Sequence, residues 1–293
     1  MKFNTLGKSQ IQVSEISFGC MSLENNHSLN ESLLRKAFDS GFNFFDTADL
    51  YDKGWNEESV GKALKPIRDQ VIIATKVGNQ WREDGSGWDW NPSKEYILKA
   101  VDESLRRLQT DYIDLYQLHG GTIDDPIDDA IEAFELLKQQ GKIREYGISS
   151  IRPNVIREWI ERSNIVSVMM QYSLLDRRPE EKCLDILHEN DISVLTRGSL
   201  AKGMLIDKPI TDYLGYSEYE VELIQQKIQR LENQISSSLQ FVLQHNVVAS
   251  VVVGIRTEEQ LSSIVESISC DISTEALKKL GEVLELNVYE AHR

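Results

Sequence analysis

The sequence has few of the residues and patterns that mark secreted, membrane-spanning or metal-binding proteins. Its 293 residues include only three cysteines and five histidines. The cysteines are scattered, none has the CxxC spacing of a zinc or redox site, and no histidine pair follows the HExxH pattern. We therefore expect reduced thiols, no disulfide framework and no metal site.

Long hydrophobic runs are also absent. The run at 247–255 has the length of a strand, whereas a membrane-spanning helix needs about 20 apolar residues. The N-terminus lacks the apolar segment and cleavage site of a secretory signal. The net charge of −15 would repel nucleic acid and anionic membranes at long range. These features predict a cytoplasmic protein that binds neither nucleic acid nor membranes.

Eight apolar, strand-like segments alternate with stretches of helical periodicity, such as 93–108 and 127–140. The eight segments lie at 15–19, 42–46, 71–76, 112–119, 143–149, 165–171, 192–196 and 247–254. This alternation is typical of parallel strands that are buried on both faces. It predicts an α/β protein with a (β/α)8 TIM barrel as one domain over residues 1–293, preceded by an N-terminal β-hairpin that turns at Gly7.

A doubly wound open sheet is the rival architecture for the same alternation. Such sheets usually have a glycine-rich turn after the first strand, with the spacing GxGxxG. The chain has a GxG only at 85–87, within a long loop. The barrel is therefore the favoured prediction.

Ionisable side chains end three successive strands of the predicted barrel. Asp46 ends the second strand, Lys76 the third and His119 the fourth, and Tyr51 follows Asp46 by a short loop. In (β/α)8 barrels the C-terminal strand ends carry the chemistry. Because neighbouring strands lie roughly 5 Å apart, these four side chains can converge on one small site.

The four residue types suit a general acid aimed at a carbonyl oxygen. A phenol is ordinarily a weak acid, with a pKa of about 10, and a nearby ammonium favours its anion. Lys76 can supply that charge, and as a buried lysine it needs a carboxylate partner, for which Asp46 is placed. His119 can act as a second donor that orients the carbonyl. Each residue alone could equally be structural, but their joint occurrence favours a catalytic role.

Several spaced motifs, in order along almost the whole chain, resemble those of the aldo-keto reductases. They are "FNFFDTADLY" at 42–51, "NEESVGKAL" at 56–64, "VIIATK" at 71–76, "SLRRLQTDYIDLYQLH" at 104–119 and "LKQQGKIREYGISS" at 137–150. The resemblance implies a barrel that binds NADPH without a Rossmann fold and passes hydride directly to an aldehyde or ketone. It also implies that Tyr51 is the acid, that Lys76 and Asp46 tune it, and that His119 positions the carbonyl.

The same resemblance implies a set of cofactor-binding residues. They are Gly19, Cys20 and Met21 after the first strand, Ser149, Ser150 and Gln171 at the nicotinamide carboxamide, Arg197, Gly198, Ser199 and Leu200 after the seventh strand, and Gly254, Arg256, Thr257 and Gln260 at the phosphates. NADPH is the expected cofactor, with NADH second, and Arg256 is the candidate for the 2′-phosphate. Arg197 stands where many members stack an aromatic ring on the nicotinamide, which implies weaker retention of NADP+ than of NADPH. Ser263 and Ile264 replace the usual adenine contacts.

The expected partner is a small carbonyl substrate, and the expected assembly is a monomer or weak homo-oligomer. Trp55, Trp81, Trp88 and Trp90 follow the second and third strands and suggest an apolar pocket wall. The segment 206–230 is either a lid or the start of a long helix. Two other functions stay open, namely a catalytically quiet, NADPH-binding redox-sensing subunit and a barrel lyase or isomerase that uses the same lysine and histidine.

Overall fold

A closed barrel of eight parallel strands forms the centre of the computed structural model, which describes residues 1–231 and 233–293. Two short strands, β1 (Phe3–Thr5) and β2 (Gln12–Ser14), form an antiparallel hairpin before it. The barrel strands follow in chain order as β3 (Ile16–Gly19), β4 (Phe44–Asp46), β5 (Ile72–Val77), β8 (Ile113–Leu118), β9 (Ile143–Ser149), β10 (Ser167–Gln171), β11 (Ser193–Arg197) and β12 (Val248–Gly254), and β12 pairs with β3 to close it. The predicted (β/α)8 barrel and its N-terminal hairpin are confirmed.

Helices surround the barrel and lie between successive strands. Their bounds are α1 (His27–Asp39), α2 (Trp55–Leu64), α3 (Lys94–Leu108), α4 (Ile127–Gln139), α5 (Pro153–Arg162), α6 (Cys183–Glu189), α7 (Glu218–Ile228), α8 (Gln234–Leu243), α9 (Glu258–Ile268) and α10 (Thr274–Gly281). Caps fix several starts, as at α3, where the Ser93 hydroxyl accepts a hydrogen bond from the backbone N–H of Tyr96. Within the described residues, no helix combines the length and the apolarity that crossing a membrane requires.

The N-terminal hairpin closes one end of the barrel. Leu6, Ile11 and Val13 are buried against a cluster of barrel residues that includes Phe44 and Leu115. The turn contains Gly7 at a φ of +52°, and a Cβ at this position would lie 2.3 Å from the carbonyl oxygen of Val166. This apolar packing closes the barrel interior at the N-terminal ends of the strands.

A second antiparallel hairpin, which the sequence interpretation treated as a long loop, follows β5. Its strands are β6 (Asn79–Trp81) and β7 (Trp88–Trp90), with Trp81 paired to Trp88. The glycine and aspartate residues between them form the turn, where Gly85 has a φ of +68°. The hairpin fixes the positions of three of the five tryptophans.

Candidate active site

Lys76 lies at the centre of the predicted catalytic group. Its Nζ donates hydrogen bonds to Asp46 Oδ2 at 2.6 Å and to the Thr47 carbonyl oxygen at 2.7 Å, and it lies 3.4 Å from the Tyr51 hydroxyl. Gln117 Nε2 approaches the other carboxylate oxygen of Asp46 at 3.4 Å. The side chains of Lys76 and Asp46 are almost fully buried, at 1% and 7% exposed. The structure thus brings the two charges together directly beside the phenol.

Burial and mutual attraction act in opposite directions on this pair. Burial alone would lower the pKa of Lys76, but attraction to Asp46 and Tyr51 and hydrogen bonds to both raise it above its ordinary value. Burial raises the pKa of Asp46, and the neighbouring Lys76 ammonium opposes that rise. The ammonium of Lys76 therefore keeps its charge next to Tyr51.

His119 completes the group from the end of β8. Its ring meets the Tyr51 ring edge to face, with centroids 5.9 Å apart. Burial, followed by repulsion from Lys76 and Arg197, lowers the pKa of His119 to about 3. Its Nδ1 is buried and has no hydrogen-bond partner among the described residues. A neutral imidazole in this position can donate one N–H into the site at physiological pH.

The four side chains line a cleft of about 610 Å³. Several of the predicted cofactor residues line the same cleft, namely Gly19, Met21, Ser149, Ser150, Gln171, Arg197, Gly198 and Gly254. Gln171 is held from two sides, because its Oε1 accepts from Arg197 Nη1 at 3.1 Å and its Nε2 donates to the Tyr213 hydroxyl at 2.9 Å. The cleft therefore joins the catalytic group to about half of the predicted cofactor set.

The other predicted cofactor residues lie outside the lining of the cleft. Cys20 is fully buried in the core, and Ser199 is buried and donates to the Tyr172 carbonyl oxygen at 2.9 Å. Leu200 packs against the core. Thr257 caps α9. The side chains of Cys20, Ser199 and Leu200 thus pack locally, and that of Thr257 caps a helix. Motif matching along the chain cannot distinguish these roles from binding.

Arg256 and Gln260 lie just beyond the cleft, at the start of α9. The backbone N–H of Arg256 donates to Gln260 Oε1 at 2.8 Å. The Nε of Arg256 donates to the carbonyl oxygen of Ser22, which lines the cleft, at 3.2 Å. The guanidinium of Arg256 therefore stands at the margin of the cleft, beside the N-terminus of a helix.

Among the lining residues that the sequence interpretation missed, three have long polar or charged side chains. Arg152 follows β9 and donates to the Gly121 carbonyl oxygen at 2.6 Å, and Lys202 follows β11. Tyr213 belongs to the segment 206–230, in which a loop precedes α7 and only Tyr213 lines the cleft. Arg152 and Lys202 could have been predicted from their positions after the C-terminal ends of barrel strands, which is the criterion that identified Lys76. Tyr213 could not, because it reaches the cleft from a distant loop.

The four tryptophans do not form the expected wall, because none of them lines the cleft. Trp55 stacks on His27 with ring centroids 4.1 Å apart. Trp81 Nε1 donates to the Leu50 carbonyl oxygen at 3.3 Å, and Trp90 Nε1 donates to Asp125 Oδ1 at 3.0 Å. Trp81 and Trp90 instead tie the second hairpin to the loops after β4 and β8.

Comparison with known proteins decides the family. A sequence model described as the Aldo/keto reductase family matches residues 15–285. The chain belongs to the aldo/keto reductase family. The solved holo form of aldo-keto reductase AKR11C1 from Bacillus halodurans is 49% identical, has a TM-score of 0.97, and is matched over 100% of this chain and 99% of its own.

Two curated relatives of this aldo-keto reductase are also informative. The uncharacterized oxidoreductase YqkF of Bacillus subtilis is 48% identical over 100% of both chains. The NADH-specific methylglyoxal reductase of Escherichia coli is 32% identical over 73% of this chain and 72% of its own. The family consists of oxidoreductases that use nicotinamide cofactors, NADH or NADPH.

The charged side chains that line the cleft of this aldo-keto reductase suit such a dinucleotide. Arg152, Arg197 and Lys202 bring positive charge into it, although the chain as a whole carries −15. A Cβ added to Gly254 would lie 3.2 Å from Ser22 Oγ, so the glycine keeps that part of the cleft open. An anionic cofactor is therefore compatible with the site in spite of the acidic composition.

We predict that His119 stays neutral far below the ordinary histidine pKa of about 6.5. Because the folded state holds the pKa at about 3, the unfolded chain takes up this proton first as the pH falls. Stability that is present above pH 6.5 is then lost as the pH falls from about 6.5 toward 3. NMR titration of the imidazole, assigned with a His119→Asn variant, checks this. A midpoint between pH 6 and 7 would contradict it.

Proposed function

We propose that this aldo-keto reductase, as one domain over residues 1–293, reduces an aldehyde or ketone to an alcohol with NADPH. The observation that carries the proposal is the position of the Lys76 ammonium, 2.6 Å from Asp46 and 3.4 Å from the Tyr51 hydroxyl, in a cleft that several of the predicted cofactor residues also line. Direct reduction of a carbonyl needs one proton donor beside the carbonyl oxygen, and Tyr51 is the acidic group in that place.

Each side chain of the group has a separate task in this reaction. A bound nicotinamide supplies the hydride to the carbonyl carbon. Tyr51 donates its phenolic proton to the carbonyl oxygen, and the Lys76 ammonium stabilises the phenolate that remains. Asp46 keeps the buried Lys76 charged, since a lysine without a carboxylate partner would lose its proton there.

His119 positions the substrate. As a neutral imidazole it donates an N–H to the same oxygen that receives the proton from Tyr51. Two donors on one oxygen fix the direction of the carbonyl and stabilise the charge that develops on it. The edge-to-face contact between the two rings supports this geometry, because it places both side chains next to each other in the cleft.

The cofactor is held along the cleft by side chains with different tasks. We assign the nicotinamide carboxamide to Ser149 and Gln171, and a stacking contact on the ring to Arg197, whose guanidinium plane can stack. Arg256 would bind the 2′-phosphate, since guanidinium groups suit phosphate oxygens and a helix N-terminus follows. The relative from Escherichia coli is named NADH-specific, so NADH is the rival of NADPH as the cofactor of this chain.

Replacing Tyr51 by Phe tests the acid directly. We expect kcat for aldehyde reduction to fall by about 10²–10⁴-fold, because the variant lacks the proton donor, while NADPH binding is kept. The assay follows NADPH consumption with a panel of small aldehydes and ketones that includes methylglyoxal, and NADPH fluorescence measures binding. Tyr112→Phe is the matched control. Tyr112 lies just before β8, at the end of that strand opposite to His119, and the variant should keep the wild-type rate.

Three outcomes of that assay would contradict the proposal. A Tyr51→Phe variant with the full rate would remove Tyr51 as the acid. A wild-type protein that binds NADPH but turns over no carbonyl would support a redox-sensing subunit instead. A protein that does not bind NADPH at all would exclude both nicotinamide functions.

Replacing Arg256 by Gln tests the choice of cofactor. We expect KM for NADPH to rise by about 10-fold or more, because a charge-assisted contact to the 2′-phosphate is lost, while KM for NADH stays within twofold. Arg230→Gln, an exposed position at the end of α7, controls for the change of net charge. An equal rise of KM for NADPH and for NADH in Arg256→Gln would contradict the assignment of Arg256 to the 2′-phosphate.

A further inference from the structure

Two polar side chains at the start of α2, Asn56 and Glu57, are fully buried and lie outside the lining of the cleft. Buried polar groups are costly unless their hydrogen bonds are satisfied. Here their partners include the threonines next to the catalytic pair, Thr47, which follows Asp46, and Thr75, which precedes Lys76.

Glu57 holds strand β5 from the helix side. The hydroxyl of Thr75 donates to Glu57 Oε1 at 2.6 Å. Because successive side chains of a strand point to opposite faces, Thr75 faces the helices while Lys76 faces the barrel interior. A fixed Thr75 therefore also fixes the direction in which Lys76 enters the site.

The second oxygen of Glu57 is paired with an arginine from α3. Arg107 Nε and Nη2 both lie 2.6 Å from Glu57 Oε2. The arginine passes directly over Gly54, where an added Cβ would lie 2.6 Å from Arg107 Cδ and 2.7 Å from Nε. The pair thus compensates the buried negative charge of Glu57 and joins α2 to α3 behind Lys76.

Asn56 holds the other residue that Lys76 contacts. The hydroxyl of Thr47 donates to Asn56 Oδ1 at 2.6 Å, and Asn56 Nδ2 donates to the Cys20 carbonyl oxygen at 2.8 Å. The carbonyl oxygen of Thr47 is itself an acceptor for Lys76 Nζ, at 2.7 Å. Asn56 therefore fixes one of the two oxygens that receive the strongest hydrogen bonds of Lys76.

We propose that Asn56 and Glu57 are positioning residues, which set the distance between the Lys76 ammonium and the Tyr51 oxygen through Thr47 and Thr75. The inference rests on the proposed function, because it concerns the same proton transfer. Displacement of a catalytic group by about 1 Å can lower a rate by about 100-fold, so a hydroxyl outside the cleft can matter to turnover. Neither Asn56 nor Glu57 needs to touch the substrate or cofactor.

The test removes only the hydroxyl of Thr75. Thr75→Val keeps the shape and the strand preference of the side chain, and Thr75→Ser restores the hydroxyl. Thr110→Val is the matched control, because the Thr110 hydroxyl is also hydrogen-bonded but lies before the start of β8. It accepts from Arg68 Nε at 2.9 Å and donates to the Tyr112 carbonyl oxygen at 3.2 Å. Thermal unfolding shows that each variant is folded.

We expect Thr75→Val to lower kcat by about 10-fold or more, with KM for NADPH within twofold, and Thr75→Ser to recover most of the loss. Thr110→Val should keep kcat within twofold.

Two results would overturn the inference alone. One is a Thr75→Val variant with the kcat of the Thr110→Val control. The other is a loss of kcat that Thr75→Ser does not recover, which indicates a purely structural role. A wild-type protein without carbonyl turnover would instead overturn the proposed function and this inference with it.

Discussion

The buried contact between Lys76 and Asp46 is the interaction on which the rest of the site depends. Removing two charges from water costs several kcal/mol each, so the pair is tolerated only with close geometry and further hydrogen bonds. Here the carboxylate lies 2.6 Å from the ammonium, and the Thr47 carbonyl oxygen accepts a second hydrogen bond from it. In the proposed reaction this pair supplies the positive charge that stabilises the Tyr51 phenolate after the proton has been transferred.

The barrel provides what such a pair requires. In the adjacent parallel strands β4 and β5, Asp46 pairs with Ala74, two residues before Lys76, so that both side chains reach the same end of the barrel. The N-terminal hairpin closes the opposite end with apolar side chains. Helices α2 and α3 then support the two strands from outside through the buried contact between Glu57 and Arg107. The cleft adds positive side chains to an acidic protein, so that an anionic cofactor can enter where the remainder of the surface would repel it.

Much of this arrangement was predictable from local sequence. The strands could be located because apolar runs alternate with helical periodicity, and Asp46, Lys76 and His119 could be brought together because all three end neighbouring strands. Contacts between distant segments carry no such signal. The Tyr213 hydroxyl meets Gln171 from a loop 42 residues away, and Arg107 meets Glu57 across 50 residues. The tryptophans were misplaced for the same reason, since pairing of β6 with β7 and contacts with other loops fix their positions.

The most direct test of the central claim is a double-mutant cycle on kcat with Asp46→Asn, Lys76→Met and the two combined. Residues that act as one unit have strongly non-additive effects. If Asp46 acts only by keeping Lys76 charged, the double variant should lose little more activity than Lys76→Met alone. Independent losses, in which the factor for the double variant equals the product of the two single factors, would contradict the account.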